Sequence, residues 1–255
     1  MITLSIAIQK GGSGKTTTAI NLAAGLRHLG KSVLLLDLDP QANMTQALGF
    51  EDPQPNLYDL LRQEFDGEEA GIDKAIVFSG DLPLIPASLD LAGIELELVS
   101  VYNREKVLRT MLQPLENKYD FLVIDCPPAI NLLTVNALNA SDYVLMPLQA
   151  EFLPLRGVHS FMKTFQKVRK QLNPELKILG FVLTRYDSRK SMNRNILDQL
   201  NAEFGSLVFE TNIRTNISLA QAQEWGQDIF RFDNTSNGAF DYMQLAQEVL
   251  LRLNK

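Results

Sequence analysis

Apolar residues along the chain follow two alternating rhythms. Short continuous apolar runs at residues 4–8, 33–36, 121–125, 143–148 and 178–184 have the length of strands buried on both faces of a sheet. Apolar positions recur at helical spacing over residues 18–29, 56–63, 90–99, 104–115, 131–139 and 158–172, and again over the tail 239–253. Gly30 follows the first of these helices in the usual capping position. A further short strand is expected at 82–86, where Pro83 implies an edge or irregular place because proline cannot donate to a ladder. Repeated strand, helix and strand make right-handed crossover units. The expected fold is therefore α/β, with a doubly wound, mostly parallel sheet flanked by helices.

Two helices have faces that can be assigned. In 158–172, Val158, Phe161, Met162, Phe165 and Val168 form a core stripe, with Lys163, Lys167, Arg169 and Lys170 mainly elsewhere. In the tail, Phe240, Met243, Ala246, Val249, Leu250 and Leu253 share helical spacing. Only Arg252 and Lys255 are basic there, against Asp241 and Glu248, so core packing is favoured over a lipid-binding helix and no membrane partner is expected.

Composition narrows the setting. No Pro/Gly/Ser-rich linker or internal repeat divides the 255 residues, of which 45% are hydrophobic, so 1–255 is expected to be one domain. Residues 1–8 are too short for a signal-peptide core, no apolar run reaches transmembrane length, and a lone Cys126 rules out an intrachain disulfide. A cytosolic protein is expected. The net charge of -6 hides a segment, residues 152 to 195, with ten basic and two acidic residues, a local +8 set against -14 elsewhere. Its lysines are either a solvated helix face or a nucleic-acid contact.

The candidate chemistry begins at Lys10-Gly11-Gly12-Ser13-Gly14-Lys15-Thr16-Thr17, between the first strand and the first helix. Strand, glycine-rich turn and helix start form the context of a phosphate-binding loop. Glycines let backbone N–H groups close on phosphates, and the helix N-terminus adds its positive dipole end. Lys15 can reach the β- and γ-phosphates of a nucleotide, and the Thr16 hydroxyl can bind Mg²⁺. The second strand ends in Asp37-Leu38-Asp39-Pro40, and ligands of parallel sheets bind beyond such carboxyl ends. Asp39 suits the attacking water and, with Asp37, the Mg²⁺ shell, although Asp-Pro also simply punctuates strand ends. Asp125, closing the apolar run 121–125, fits the acid that holds Mg²⁺. Cys126 reads as packing.

The loop, with its extra lysine at position 10, resembles that of the ParA/MinD family of deviant Walker ATPases, and similar features recur nearly to the C-terminus. The resemblance implies ATP and Mg²⁺ as cofactors, Lys10 reaching across a nucleotide-sandwich homodimer, Asp39 as the hydrolytic aspartate and Pro127-Pro128 in the second switch. It matches Glu151-Phe152-Leu153-Pro154-Leu155 to a family segment, and places Arg189 on the arginine used for non-specific DNA binding. Lys190, Arg194, Lys163, Lys167 and Lys170 extend that surface. Arg185 is divided between base and DNA, and an ion pair with Asp187 is the plain alternative for either arginine. Ile213 and Arg214 fall on the family's adenine segment, where Arg214-Thr215 replaces its Pro-Arg pair and Ser218 stands where an arginine is common.

The implied function is an ATP-dependent dimerising switch that binds DNA without sequence preference, associates with the nucleoid, positions a cargo and is stimulated by a ParB-like partner. With nine residues before Lys10, no preceding DNA-reading domain is expected. The alternatives are a MinD-like membrane-cycling ATPase and a metabolic P-loop enzyme acting on a small substrate.

Overall fold

The computed structural model describes residues 1–68, 71–150 and 155–254. The 151–154 part of the Glu151 to Leu155 segment, the side chain of Arg156 and all of Lys255 lie outside the described residues.

Among the described residues seven strands form one sheet in the order β3-β4-β2-β5-β1-β6-β7. They are β1 (Ile2–Ile6), β2 (Val33–Asp37), β3 (Val77–Ser79), β4 (Leu82–Ile85), β5 (Phe121–Asp125), β6 (Tyr143–Gln149) and β7 (Lys177–Thr184). All neighbours pair parallel except β3, which runs antiparallel to β4 at the edge. The expected doubly wound, mostly parallel architecture is present.

Side-chain alternation along each central strand feeds two cores. In β2, Leu34 and Leu36 enter one core while Val33 and Leu35 enter the other. The first core packs under α3 (Leu57–Phe65), α4 (Leu91–Leu98), α5 (Val107–Leu112), α6 (Leu132–Ala140), α7 (Leu155–Gln171) and α8 (Ser191–Phe204). The second packs under α1 (Lys15–His28), α2 (Asn43–Ala47), α9 (Ile217–Glu224), α10 (Ile229–Asp233) and α11 (Asn237–Leu253). No helix of the described residues is long and apolar enough to cross a membrane.

Several expectations shift. The first strand spans Ile2–Ile6 rather than 4–8, so residues 7–9 already belong to the approach to the loop. β4 is not an edge strand: β3 covers it, and Pro83 lies opposite Phe78, outside the two-residue register that β4 shares with β2. The helix expected over 104–115 is α through Val107–Leu112 and closes as a 3-10 turn at Gln113–Leu115, where Pro114 cannot donate to a continuing α-turn. α8 escaped the sequence pattern because it buries only Asn193, Ile196 and Leu200 among polar residues.

The tail helix packs in the core as expected, with Ala246 and Val249 of the expected stripe buried and Leu250 and Leu253 packed against the core, but its buried face is turned away from Phe240. Ala239, Tyr242, Leu245, Ala246 and Val249 are buried, whereas Phe240 is exposed. The close approach of α11 to α1 sets this phase. A Cβ on Gly25 would lie 3.0 Å from Ala246 Cβ and 3.2 Å from the Tyr242 carbonyl oxygen. The Tyr242 hydroxyl also shares a hydrogen bond of 3.3 Å with Thr18 on the loop helix. Gly25→Val should therefore push the two helices apart and destabilise the chain by about 2 kcal/mol, within the range for overpacking. Urea unfolding would register this as a lower midpoint with an unchanged slope, and an unshifted midpoint would contradict the close packing.

Candidate nucleotide-binding site

The loop from Gln9 to Gly14 turns on two left-handed glycines, Gly12 at φ 70° and Gly14 at φ 88°. Gly14 is the N-cap of α1, whose first internal bond runs from Thr18 N–H to the Gly14 carbonyl at 2.8 Å. The N–H groups before it have no intrahelical acceptor and face the ligand side. A Cβ at Gly11 or Gly12 would meet nothing, whereas one at Gly14 would touch the Thr184 methyl group at 3.5 Å. The space in front of the loop is thus open, and its back is braced by β7. Thr184 strengthens that brace by donating its hydroxyl to the Ser13 carbonyl at 2.9 Å.

The two loop lysines differ. Lys15 is 7% exposed, and its ammonium donates to the Lys10 carbonyl oxygen at 3.1 Å, with the buried Ser13 hydroxyl reaching the same oxygen at 3.4 Å. The one hydrogen-bond acceptor of the Lys15 ammonium is a neutral carbonyl, with the Asp125 carboxyl near enough to feel its charge, so the ammonium keeps donors for an anion. Lys10 is half-buried, and its side chain has no partner among the described residues.

The carboxylates arrive from the strand ends. Asp37 and Asp125 are register partners at the ends of β2 and β5. The Thr16 hydroxyl donates to Asp125 Oδ2 at 2.6 Å, while Asp125 Oδ1 is buried without a hydrogen-bond partner. Burial, reinforced by the Asp37 carboxylate, pushes the Asp125 carboxyl well above its ordinary range. Asp37 is raised to about 6, chiefly by burial, although it accepts from Thr45 N–H at 2.9 Å, the Thr45 hydroxyl at 2.8 Å and Asp39 N–H at 3.2 Å. Both of its oxygens are therefore engaged, Oδ2 in holding α2 through Thr45 and Oδ1 in holding the backbone at Asp39. Asp39 is buried, with Oδ1 accepting Gln41 N–H at 3.0 Å. Cys126 is buried and its thiol is pushed up to about 12 by burial, as befits packing.

Beside Gly14 and Thr17 opens a cavity of ≈ 170 Å³ lined by Arg185, Ile213, Arg214 and residues of α9. Arg185 sits there exposed, in a left-handed conformation at φ 51°. Ile213 is buried, its N–H donating to the Leu183 carbonyl at 2.8 Å. The Arg214 guanidinium is committed to Asp241, with contacts of 2.6 to 3.0 Å. The sequence signalled neither this pair nor the contact of Gln223 with Thr17. Thr184 could have been singled out, since it closes a strand at the carboxyl end of the sheet.

The basic residues gather on α7 and at the start of α8. Lys163, Lys167 and Lys170 are exposed at helical spacing on α7, and Lys190 and Arg194 are exposed at and within the start of α8. His159 and Glu203, 2.6 Å apart, tie the two helices side by side. Arg189 is 88% exposed, and its guanidinium is paired with Asp187 through Nε at 3.0 Å and an amino nitrogen at 2.9 Å. That pairing holds Asp187 down to about 2.

Comparison with known proteins bears on this geometry. A family model described as an AAA domain matches residues 1–178. The sporulation initiation inhibitor protein Soj of Bacillus subtilis is 42% identical over 248 residues, covering 96% of this chain and 97% of the relative. The chromosome partitioning protein ParA of Caulobacter vibrioides is 42% identical over 256 residues, covering 98% and 94%. Among solved structures, a protein of Mycobacterium smegmatis described as cobyrinic acid a,c-diamide synthase, with a bound ATP analogue and magnesium, superposes with a TM-score of 0.86 at 35% identity, covering 100% of this chain and 96% of that one. Similarity of this extent shows the family: the chain belongs to the ParA/MinD P-loop ATPases, close to ParA and Soj.

Proposed function

We propose that residues 1–255 act as one ATP-driven switch of the partitioning type. With ATP bound it forms a homodimer that holds DNA of any sequence on the nucleoid, and hydrolysis stimulated by a ParB-like partner releases it. The general activity is that of a ParA-type ATPase, with ATP and Mg²⁺ as its cofactors.

The site fits both groups. The buried Lys15 ammonium, held by one carbonyl, and the open cradle before Gly11 and Gly12 suit an anionic phosphate chain. The unpartnered Asp125 Oδ1 beside the Thr16 hydroxyl suits Mg²⁺. Among the described residues no group of three or more acids, cysteines or histidines is arranged to hold a metal; Mg²⁺ keeps waters and phosphate oxygens in its shell and needs few protein ligands. Mg²⁺ there neutralises charge on the phosphates. Lys15 turns from the Lys10 carbonyl to the phosphates, and Asp125 and Thr16 hold the ion. Asp37 works from behind by fixing Asp39 and α2. Asp39 keeps Oδ2 to orient the attacking water.

One observation carries the dimer: Lys10 has no partner in its own chain among the described residues, although Lys15 beside it has one. A cation supplied in trans completes charge stabilisation only on assembly, which makes hydrolysis conditional. Pairing two chains doubles the α7–α8 surface, and phosphate contacts accumulate in binding strength. Arg189 joins by exchanging Asp187 for a phosphate, an exchange of low cost at so exposed a pair. A membrane-cycling role is disfavoured because α11 spends its apolar face on α1. The reading as a metabolic enzyme, suggested by the name of the Mycobacterium smegmatis protein, requires turnover that depends on a small substrate and ignores DNA and the partner.

Three substitutions test the proposal. Asp39→Ala should bind ATP normally, hydrolyse it on the order of 100-fold more slowly, and stay on random-sequence duplex DNA in a salt-sensitive complex followed by fluorescence anisotropy. Normal hydrolysis would remove the water-orienting role, and failure to bind DNA with ATP would remove the partitioning reading. Lys10→Ala should retain ATP but remain a monomer with a slowly hydrolysed analogue. Mass measurement decides, and a wild-type dimer fraction would exclude a role in trans. Asp125→Asn relieves a buried carboxylate of its neighbour Asp37, so thermal unfolding should occur at an equal or higher temperature while Mg²⁺-dependent hydrolysis drops on the order of 100-fold. A parallel loss of stability and activity would mean that Asp125 serves the fold.

A further inference from the structure

The wall that α9 gives to the ≈ 170 Å³ cavity carries a side-chain amide that makes one hydrogen bond, through its nitrogen. Gln223, half-buried in the last turn of α9, donates from Nε2 to the Thr17 hydroxyl at 3.0 Å. That bond ties its amide to the third residue of the loop helix. The carbonyl oxygen Oε1 accepts no hydrogen bond among the described residues. Thr17 and Gln223 both line the cavity, with Gly14 on one side and the apolar Ile213 and Leu219 on others.

Four other polar side chains around this cavity are already committed, whereas those of Arg185 and Thr215 have no partner among the described residues. The Arg214 guanidinium binds Asp241, the Tyr242 hydroxyl pairs with Thr18, the Thr184 hydroxyl donates to Ser13 and Asn216 Oδ1 caps Ser218 N–H at 2.8 Å. The mount of Gln223 is also firm. Gly226, two residues past α9, packs so closely on Gly49 that a Cβ there would fall 2.9 Å from the Gly49 Cα, and its carbonyl accepts from the Ser79 hydroxyl at 3.1 Å. An acceptor held this way at the border of an apolar slot selects for an N–H donor, and it penalises a ligand that brings another acceptor to the same place.

Adenine and guanine differ in that respect: adenine carries an amino group at ring position 6, where guanine carries a carbonyl oxygen. We propose that Gln223 determines base specificity, its Oε1 accepting a hydrogen bond from the 6-amino group of adenine while Thr17 holds its Nε2. The inference rests on the reading of this site as an ATP site. It makes the same residue a link between the base and the phosphate-loop helix, because a base seated on Oε1 fixes the amide that touches Thr17.

The test uses the full chain and three nucleotides: ATP, GTP and purine riboside 5′-triphosphate, which has hydrogen in place of the amine. Affinities by calorimetry in the presence of Mg²⁺ should favour ATP over the purine riboside nucleotide by on the order of 3- to 10-fold in the wild type, the range for one neutral hydrogen bond. Gln223→Leu should bring this ratio close to one and narrow the gap between ATP and GTP. Gln223→Glu keeps an acceptor and should keep the ratio, whatever its added charge does to overall affinity. The ratio cancels any effect of the lost Thr17 contact, which both nucleotides feel alike. ATP binding with an unaltered ratio in Gln223→Leu overturns this inference alone, as does a wild type that does not distinguish the two purines. Failure of every protein to bind ATP overturns the ATP-site reading and this inference with it.

Discussion

Unbalanced charge at the carboxyl end of the sheet is the constraint on which the structure depends. A lysine ammonium lies buried on one neutral carbonyl, and two buried carboxylates face each other across neighbouring strands. None of these would be chosen for stability, since unpaired buried charge is costly and like charges a strand apart raise one another's proton affinity. They persist because the parallel strands that deliver them are packed on both faces by two large cores, which hold the strand ends in register. The site is pre-formed for a ligand that carries both the anion wanted by Lys15 and a cation for Asp125.

Around that charge the chain has built braces. Thr184 fastens the loop from β7, Thr45 occupies Asp37 from α2, and Gln223 reaches the loop helix from α9. Gly25 lets α11 close on the back of α1, so the tail of the chain stiffens the helix whose N-terminus faces the phosphates. These contacts come from segments far apart in sequence. The segment after Asp39 is tied both to a strand-end carboxylate and, through Gly49 and Gly226, to the helix that lines the base cavity. A change at the nucleotide thus has a short physical route to the element carrying Asp39.

The basic surface obeys a different logic. Its cations stand in water on α7 and α8, where single charges cost little and single ion pairs contribute little. In the proposed switch their effect depends on number and on pooling between chains, which suits an interaction that is weak until assembly occurs. The nucleotide end is specific and pre-organised, and the basic face is diffuse and additive.

The local sequence determined whatever depends on residue order alone. The glycine-rich turn between strand and helix fixed the phosphate loop, because few conformations satisfy those glycines and that helix start together. The apolar runs located β1, β2, β5, β6 and β7, and the aspartates that end β2 and β5 had to emerge where parallel sheets bind ligands. The stripe of α7 was legible because Phe161 and Phe165 are large and in phase. Tertiary structure decided what depends on approach between distant segments. The turn of the buried face of α11 away from Phe240 was set by Gly25 across the interface rather than by its own apolar positions. α8 carried too thin an apolar stripe to declare itself, and the pairing of Arg214 with Asp241, like that of Gln223 with Thr17, leaves no periodic trace in the chain. Periodicity encodes which side of an element is buried; it does not encode which partner lies opposite, and the finer features of this site are made of such partners.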